Sequence, residues 1–342
     1  MEATPTLFMA RMLPGAIRTA AAAVAKAVGA RGEDIALVDN ATGAVNAILG
    51  SIDFAPGDEI VVHSHIYGAV LKTVRHIASR TGAVIVTAEL PFPETTAEGI
   101  TAAFASALTP RSRLVITDHI SSPSALIFPV ADIVAATHAA GAQVLVDGAH
   151  GPGQVPLDLD ALGADYYVGN GHKWWMGAKG VGFLWAAPAR QADLHPTIIS
   201  HGYGGGFHAE FDWTGTRDWS AALALPDAIA FHARLGGPAL MAANASVANA
   251  AAQRLATRFG TRLAAAPGLH AAMALVELPY DGEATPERQQ QLRNLFMDLD
   301  CDIPIMEVGG IMWLRLSAQA YNLSSDFDRL GDLVDMVGQR QK

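Results

Sequence analysis

Only one cysteine, Cys301, occurs among the 342 residues. No internal disulfide and no multi-cysteine zinc or iron–sulfur site can therefore be built. Basic residues are scarce as well: 23 Lys and Arg against 33 Asp and Glu give a formal charge of −10. No Lys/Arg stripe with interleaved aromatics occurs, which argues against nucleic acid or an anionic membrane as a partner. Long apolar runs are missing too. The most apolar helical stretch, Thr19 to Val28, is mostly Ala, includes Lys26 and is too short to cross a bilayer. Glu2, Arg11 and Arg18 interrupt the N-terminus, so no signal peptide and a cytoplasmic location are expected. The Gly-x-Gly-x-x-Gly fingerprint of a dinucleotide site is absent, because Gly202-Tyr203-Gly204 is followed by Phe207 where the last glycine belongs. No His-Glu-x-x-His motif exists, and the strand-end pair His63-x-His65 has no third ligand of comparable context. It reads as a polar rim, and no metal is expected.

What remains is a composition 51% hydrophobic and 16% charged, that of a compact protein with Ala-rich helices. Short β-rich runs alternate with helical patterns: Ile35–Val38, Glu59–His63, Ala83–Ala88, Arg113–Thr117, Gln143–Val146, Ala164–Val168 and Val181–Trp185. Between them, Gly68–Arg80, Ala97–Leu108 and Val130–Ala140 carry helical spacing. This alternation predicts an α/β fold with a mostly parallel sheet covered by helices. A Gly/aromatic loop, His201 to Phe207, is expected at the surface or at a subunit contact. A helical stretch with Pro226 near its start then breaks at Gly236-Gly237-Pro238. Beyond it the pattern reads helix, strand (Ala272–Leu278), helix (Pro286–Leu299), two strands (Ile303–Val308, Ile311–Leu316) and a helix (Ser325–Val337). The expected organisation is a large domain over residues 15–236 and a smaller α+β domain over 237–342, with residues 1–14 associated with the latter.

Two side chains carry the chemistry. Asp147, in Val146-Asp147-Gly148-Ala149-His150, ends a strand where open α/β sheets place their ligand crevices. Lys173, in Gly169-Asn170-Gly171-His172-Lys173-Trp174-Trp175, follows 26 positions later at the end of the next strand. Alone, such an Asp more often caps a helix and such a Lys is more often a solvated surface group. Together they match what pyridoxal 5'-phosphate (PLP) needs: an amine to hold the aldehyde as a Schiff base and an acid to keep the pyridine nitrogen protonated. Asn40-Ala41-Thr42-Gly43-Ala44 opens a helix after the first strand, and its free N–H groups with the Thr42 hydroxyl could cradle a phosphate, although plain N-capping is the commoner role. Tyr67, just past the second strand, could stack on a pyridine ring.

The motifs Asn-Ala-Thr-x-Ala-Val-Asn (40–46), His-Ile-Ser-Ser-Pro (119–123), Val-Asp-Gly-Ala-His, Gly-Asn-Gly-His-Lys-Trp, Trp-Thr-Gly-Thr-Arg-Asp (213–218) and Arg-Leu-Ser-Ala-Gln-Ala-Tyr-Asn (315–322), in this order, resemble the class V aminotransferase family of fold-type I PLP enzymes. The nearest resemblance is to its isopenicillin N epimerase-like branch. The resemblance implies a fold-type I PLP-dependent transferase architecture and a homodimer acting on a small amino-acid substrate. In it Lys173 forms the internal aldimine and moves protons at Cα, Asp147 binds the ring nitrogen, His150 lies near the ring hydroxyl and Tyr67 stacks on the ring. Thr42, Gly43, Asn170 and His172 hold the phosphate, joined by Thr216 from a second subunit. Arg315, with Ser122, binds the substrate carboxylate. Chemistry at Cα through a quinonoid carbanion follows, as epimerisation or transamination, with C–S lysis or a non-catalytic fold relative as the alternatives. Two departures stand out. Met1-Glu2-Ala3-Thr4-Pro5 resembles an internal stretch of the family, which puts substrate closure in doubt. Cys301 lies 14 positions before Arg315, as does the mobile-loop thiol of cysteine desulfurases in outline, but Cys301-Asp302-Ile303-Pro304 reads as the start of a strand.

Overall fold

The computed structural model describes residues 3–340. Seven strands form the large sheet: β1 (Ile35–Val38), β2 (Glu59–His63), β3 (Val84–Ala88), β4 (Ser112–Asp118), β5 (Gln143–Gly148), β6 (Tyr166–Asn170) and β7 (Gly182–Ala186). Their order is β1-β7-β6-β5-β4-β2-β3. All neighbours are parallel except β7, which runs antiparallel to both β1 and β6. The expected strands are all present. The largest displacement is at β6, which ends at Asn170 and so carries that side chain inside the sheet's edge rather than beyond it.

Alternation along the strands builds two cores. Val144 and Val146 join the cluster on one face with Val61, Val115 and Phe183, while Leu145 joins the other with Ile60, Ile116 and Leu184. Each such fully buried aliphatic side chain contributes about 1.5–3 kcal/mol of transfer free energy. Helices Ala41–Ser51, Gly68–Thr81, Ala97–Ala107 and Val130–Ala139 cover the faces. The three-stranded antiparallel sheet of the C-terminal part has the order β8 (Met273–Glu277), β10 (Ile311–Ser317), β9 (Ile305–Val308). Helices Pro238–Phe259, Pro286–Met297 and Ser324–Arg340 accompany it. Gly237, with φ of +53°, is the N-cap of the first of these, so the expected break falls where a left-handed residue is needed.

The N-terminal helix corrects two expectations. It runs from Pro5 to Val28 with a π-helical turn at Phe8–Met12, and its 24 residues are long and apolar enough to cross a membrane by length and composition alone. Arg11 and Arg18 interrupt the apolar pattern, and Pro14 is accommodated inside the helix because it closely follows the π-helical turn, where the regular hydrogen-bond ladder is already broken. Leu13, Ile17, Ala21, Val24 and Val28 bury against the large sheet, and Phe8 and Met9 pack on the same cluster. The described part of residues 1–14 thus packs with the large domain's core rather than the small domain's.

Gly148 sits where β5 hands the chain to the site. A Cβ there would fall 2.0 Å from the Tyr167 ring, whose hydroxyl lies 3.0 Å from His119 Nδ1 and which is completely buried. Gly148→Ala is expected to cost about 2–4 kcal/mol through this overlap, read as a lower urea midpoint at unchanged slope.

Candidate active site

The carboxyl ends of β4, β5 and β6, the start of the Ala41–Ser51 helix and the loop after β2 converge on a cavity of about 150 Å³. Thr42, Tyr67, Ser122, Asp147, His150, Asn170, His172 and Lys173 all line it. The strand-end logic of the sequence therefore brings these eight expected residues together. Three others lie elsewhere. Gly43 does not line the cavity: its N–H is spent on Asn40 Oδ1 at 2.9 Å, the ordinary N-cap. Thr216 is exposed and outside the cavity. Arg315 lines an adjoining cleft but reaches back to Ser122, donating from Nη1 to the backbone oxygen and, at 3.2 Å, to the hydroxyl.

Lys173 is held by His150. Its Nζ lies 3.0 Å from His150 Nε2, while the indole N–H of Trp174 donates to His150 Nδ1 at 3.2 Å. An indole nitrogen can only donate, so Nδ1 is an acceptor and the neutral ring carries its hydrogen on Nε2, facing the amine. That arrangement suits an uncharged Lys173, which accepts it. Burial is the main cause that lowers the Lys173 pKa to about 8, with Arg315 adding and Asp147 opposing. Burial also pushes His150 well below its usual value, helped by the Lys173 and Arg315 charges.

Asp147 is buried, and its Oδ1 accepts the Ala149 N–H at 3.0 Å. Desolvation first, then the neighbouring Asp118 carboxylate, raises its pKa to about 7. A cation at this point would reverse both penalties. At the other end of the cavity, Asn170 Oδ1 accepts the Ala41 N–H at 2.9 Å and Asn40 caps Gly43, so the Thr42 N–H and hydroxyl are left without a partner among the described residues. His172 donates from Nδ1 to the Val181 oxygen at 2.7 Å, which leaves its Nε2 to the cavity as an acceptor, or as a donor when protonated. A helix N-terminus for a phosphate, a buried acid for a ring nitrogen and a lowered-pKa amine for an aldehyde fit PLP.

A side-chain strap ties this site to the small sheet. Gln154 donates to the His150 oxygen at 2.9 Å and accepts the Ala272 N–H at 3.1 Å, next to β8. Gly153 (φ +84°) allows it: a Cβ there would stand 2.7 Å from the Trp174 backbone.

The sequence points to N-capping by Asn40 or Thr42, and Asn40 is the cap, but it gives no role to Asp118 or Trp174. Asp118 was legible by the same argument as Asp147, a carboxylate closing an apolar strand, but the strand was read as ending at Thr117. Cys301 is half-buried in the cleft lined by Arg293 and Arg315, outside the cavity that holds Lys173, and burial raises its thiol pKa. It lacks the activation a catalytic thiol requires. No group of three or more metal-type side chains occurs among the described residues.

Residues 9–290 match the family model for class-V aminotransferases, and the chain belongs to that family. PLP is its cofactor. Among curated proteins it is 34% identical to an isopenicillin N epimerase of Streptomyces clavuligerus, over 98% of this chain and 88% of that one. It is 33% identical to a putative L-cysteine desulfhydrase of Oryza sativa subsp. japonica, over 98% of this chain and 77% of the relative. Among solved structures, the cystine C–S lyase C-DES in complex with its product cysteine persulfide superposes with a TM-score of 0.80 at 22% identity, covering 94% of this chain and 87% of the other. This last likeness establishes the fold-type I architecture.

Because the amine is nucleophilic only when deprotonated, labelling of Lys173 by an aldehyde and borohydride should rise with pH to a plateau above about 8. Peptide mass spectrometry reads the yield; a rise still continuing near pH 10 would mean an ordinary exposed lysine. Lys173→Ala should remove the visible band of the PLP-loaded protein altogether.

Proposed function

We propose that this protein is a PLP-dependent C–S lyase that removes the Cα proton of a small cysteine-type amino acid and expels its β-sulfur. Chemistry at Cα is supported by Lys173, the only amine lining the cavity among the described residues and held by a neutral His150, and lysis among its outcomes is favoured by the likeness to relatives named as L-cysteine desulfhydrases. When bound, PLP supplies an electron sink for the pair left by the Cα–H bond. The amine of Lys173 takes the proton, Asp147 keeps a positive charge on the pyridine side, and Arg315 beside Ser122 orients the substrate carboxylate. The Arg315 Nε–H is buried with no partner among the described residues, so part of its donor fork is available for that carboxylate. Sulfur departs with the C–S electron pair, and the ammonium of Lys173 is the group placed to return a proton. One base suffices for this sequence.

Epimerisation is the second reading, favoured by the 34% identity to an isopenicillin N epimerase. It requires a proton donor on the face opposite Lys173, and of the residues around the cavity Tyr67 is the candidate. Transamination would use Lys173 alone and leave the β-substituent in place. We also propose a homodimer, in which Thr216 joins Thr42, Asn170 and His172 at the phosphate of the second subunit; its exposure supports that reading.

Incubating the PLP-loaded protein with L-cysteine or L-cystine in D2O separates the readings. The expected result is pyruvate, ammonia and a sulfur product in equal amounts. Deuterated D-amino acid with the β-substituent intact would overturn lysis in favour of epimerisation. Arg315→Ala is expected to raise KM for α-carboxylate substrates about tenfold or more with a smaller effect on kcat, the pattern of lost uniform binding.

A further inference from the structure

Asp118 closes β4 directly beside Asp147: the two are register partners on adjacent parallel strands, and strands pair about 4.8 Å apart. Asp118 is 3% exposed and Asp147 5%, and both line the cavity that contains Lys173. Neither Asp118 oxygen has a hydrogen-bond partner among the described residues. A buried carboxylate without donors is costly, so such a group awaits a partner that arrives with a ligand. Behind it stands His63 on β2, completely buried, with Nε2 3.4 Å from Asp118 Oδ1 and no hydrogen-bond partner for either ring nitrogen. Its ring packs on Phe104 and Phe128, so Asp118 is the one polar group it meets at ion-pair distance. The His63-x-His65 pair thus has a use unrelated to metal. His65 turns away, with its ring edge-on to Phe92.

We propose that Asp118 is a second carboxylate of the cofactor site, a positioning residue that pairs with Asp147, is backed by His63, and sets how tightly the pyridine-side proton is held. The inference rests on PLP being the cofactor and is independent of which reaction follows. The charged and titratable groups facing the pair are Lys173 after β6, His150 after β5, Tyr167 on β6 and His63 on β2, with Arg315 acting from beyond Lys173 and His150. Two adjacent anions reinforce one another's demand for a proton or cation, and Asp118 acts in that sense on both Asp147 and Lys173. A pyridinium held at this end of the cavity would compensate both carboxylates, and with one removed it would be held less firmly.

The test uses Asp118→Asn, close in shape and without the charge, in the PLP-loaded protein. Two quantities are read: the dissociation constant of PLP, and the pH midpoint of the visible band that the cofactor gives when joined to Lys173. Losing an anion destabilises nearby protonated forms, so the midpoint is expected to fall by about one pH unit and the dissociation constant to rise about tenfold. A folded Asp118→Asn protein with both quantities at wild-type values overturns the proposal, because a purely structural role lowers the melting temperature without moving the midpoint. Should Asp118→Asn not fold, His63→Phe carries the test, since it keeps the aromatic packing and both carboxylates. It is expected to move the midpoint in the same direction by less, and an unmoved midpoint in that variant overturns the proposal equally.

Discussion

Burying ionisable groups at the end of an apolar sheet is the constraint on which the rest of this structure depends. The strands deliver Asp118, Asp147 and, just past its end, Lys173 into one cavity, and none of the three is solvated as it would be in water. Desolvation pulls the acid and the amine toward each other's range: Asp147 rises to about 7 and Lys173 falls to about 8. An amine that is partly neutral near physiological pH can both attack an aldehyde and accept a carbon-bound proton. The apolar cores above and below the sheet therefore tune the chemistry as well as holding the fold.

Around that centre, most polar side chains spend one hydrogen bond on architecture and present another to the cavity. Asn170 fixes the start of the Ala41–Ser51 helix, His172 is anchored on Val181, and His150 is locked in one tautomer by Trp174. Each is then limited to a single orientation, which is how a site on short loops acquires the precision of one built on strands.

Much of this was readable in the sequence. Strand positions follow from short β-rich apolar runs between helical patterns, and Asp147 and Lys173 follow from their place at strand ends. What was not readable depended on contacts distant in sequence. The sequence also leaves open which of Asn40 and Thr42 caps the helix: Asn40 takes the Gly43 N–H, which removes Gly43 from the expected phosphate ligands. Asp118 acquires meaning only when β4 lies beside β5, a pairing across 29 residues between Asp118 and Asp147. The N-terminal helix was read short because charged residues and Pro14 interrupt its apolar pattern, and only packing against the sheet shows which of its sides is core. The choice among reactions at Cα was not legible, since every one of them uses the same lysine and the same acid.

The Gln154 strap has one more consequence. Its amide is bonded at one end to the residue that holds the reactive amine and at the other to the first strand of the sheet that carries Arg315. On the proposed assignment, the groups for the Cα and for the carboxylate of an amino acid stand on parts that this side chain helps to join. Such a gauge would fix the span between them, leaving diversity among substrates to the side-chain end.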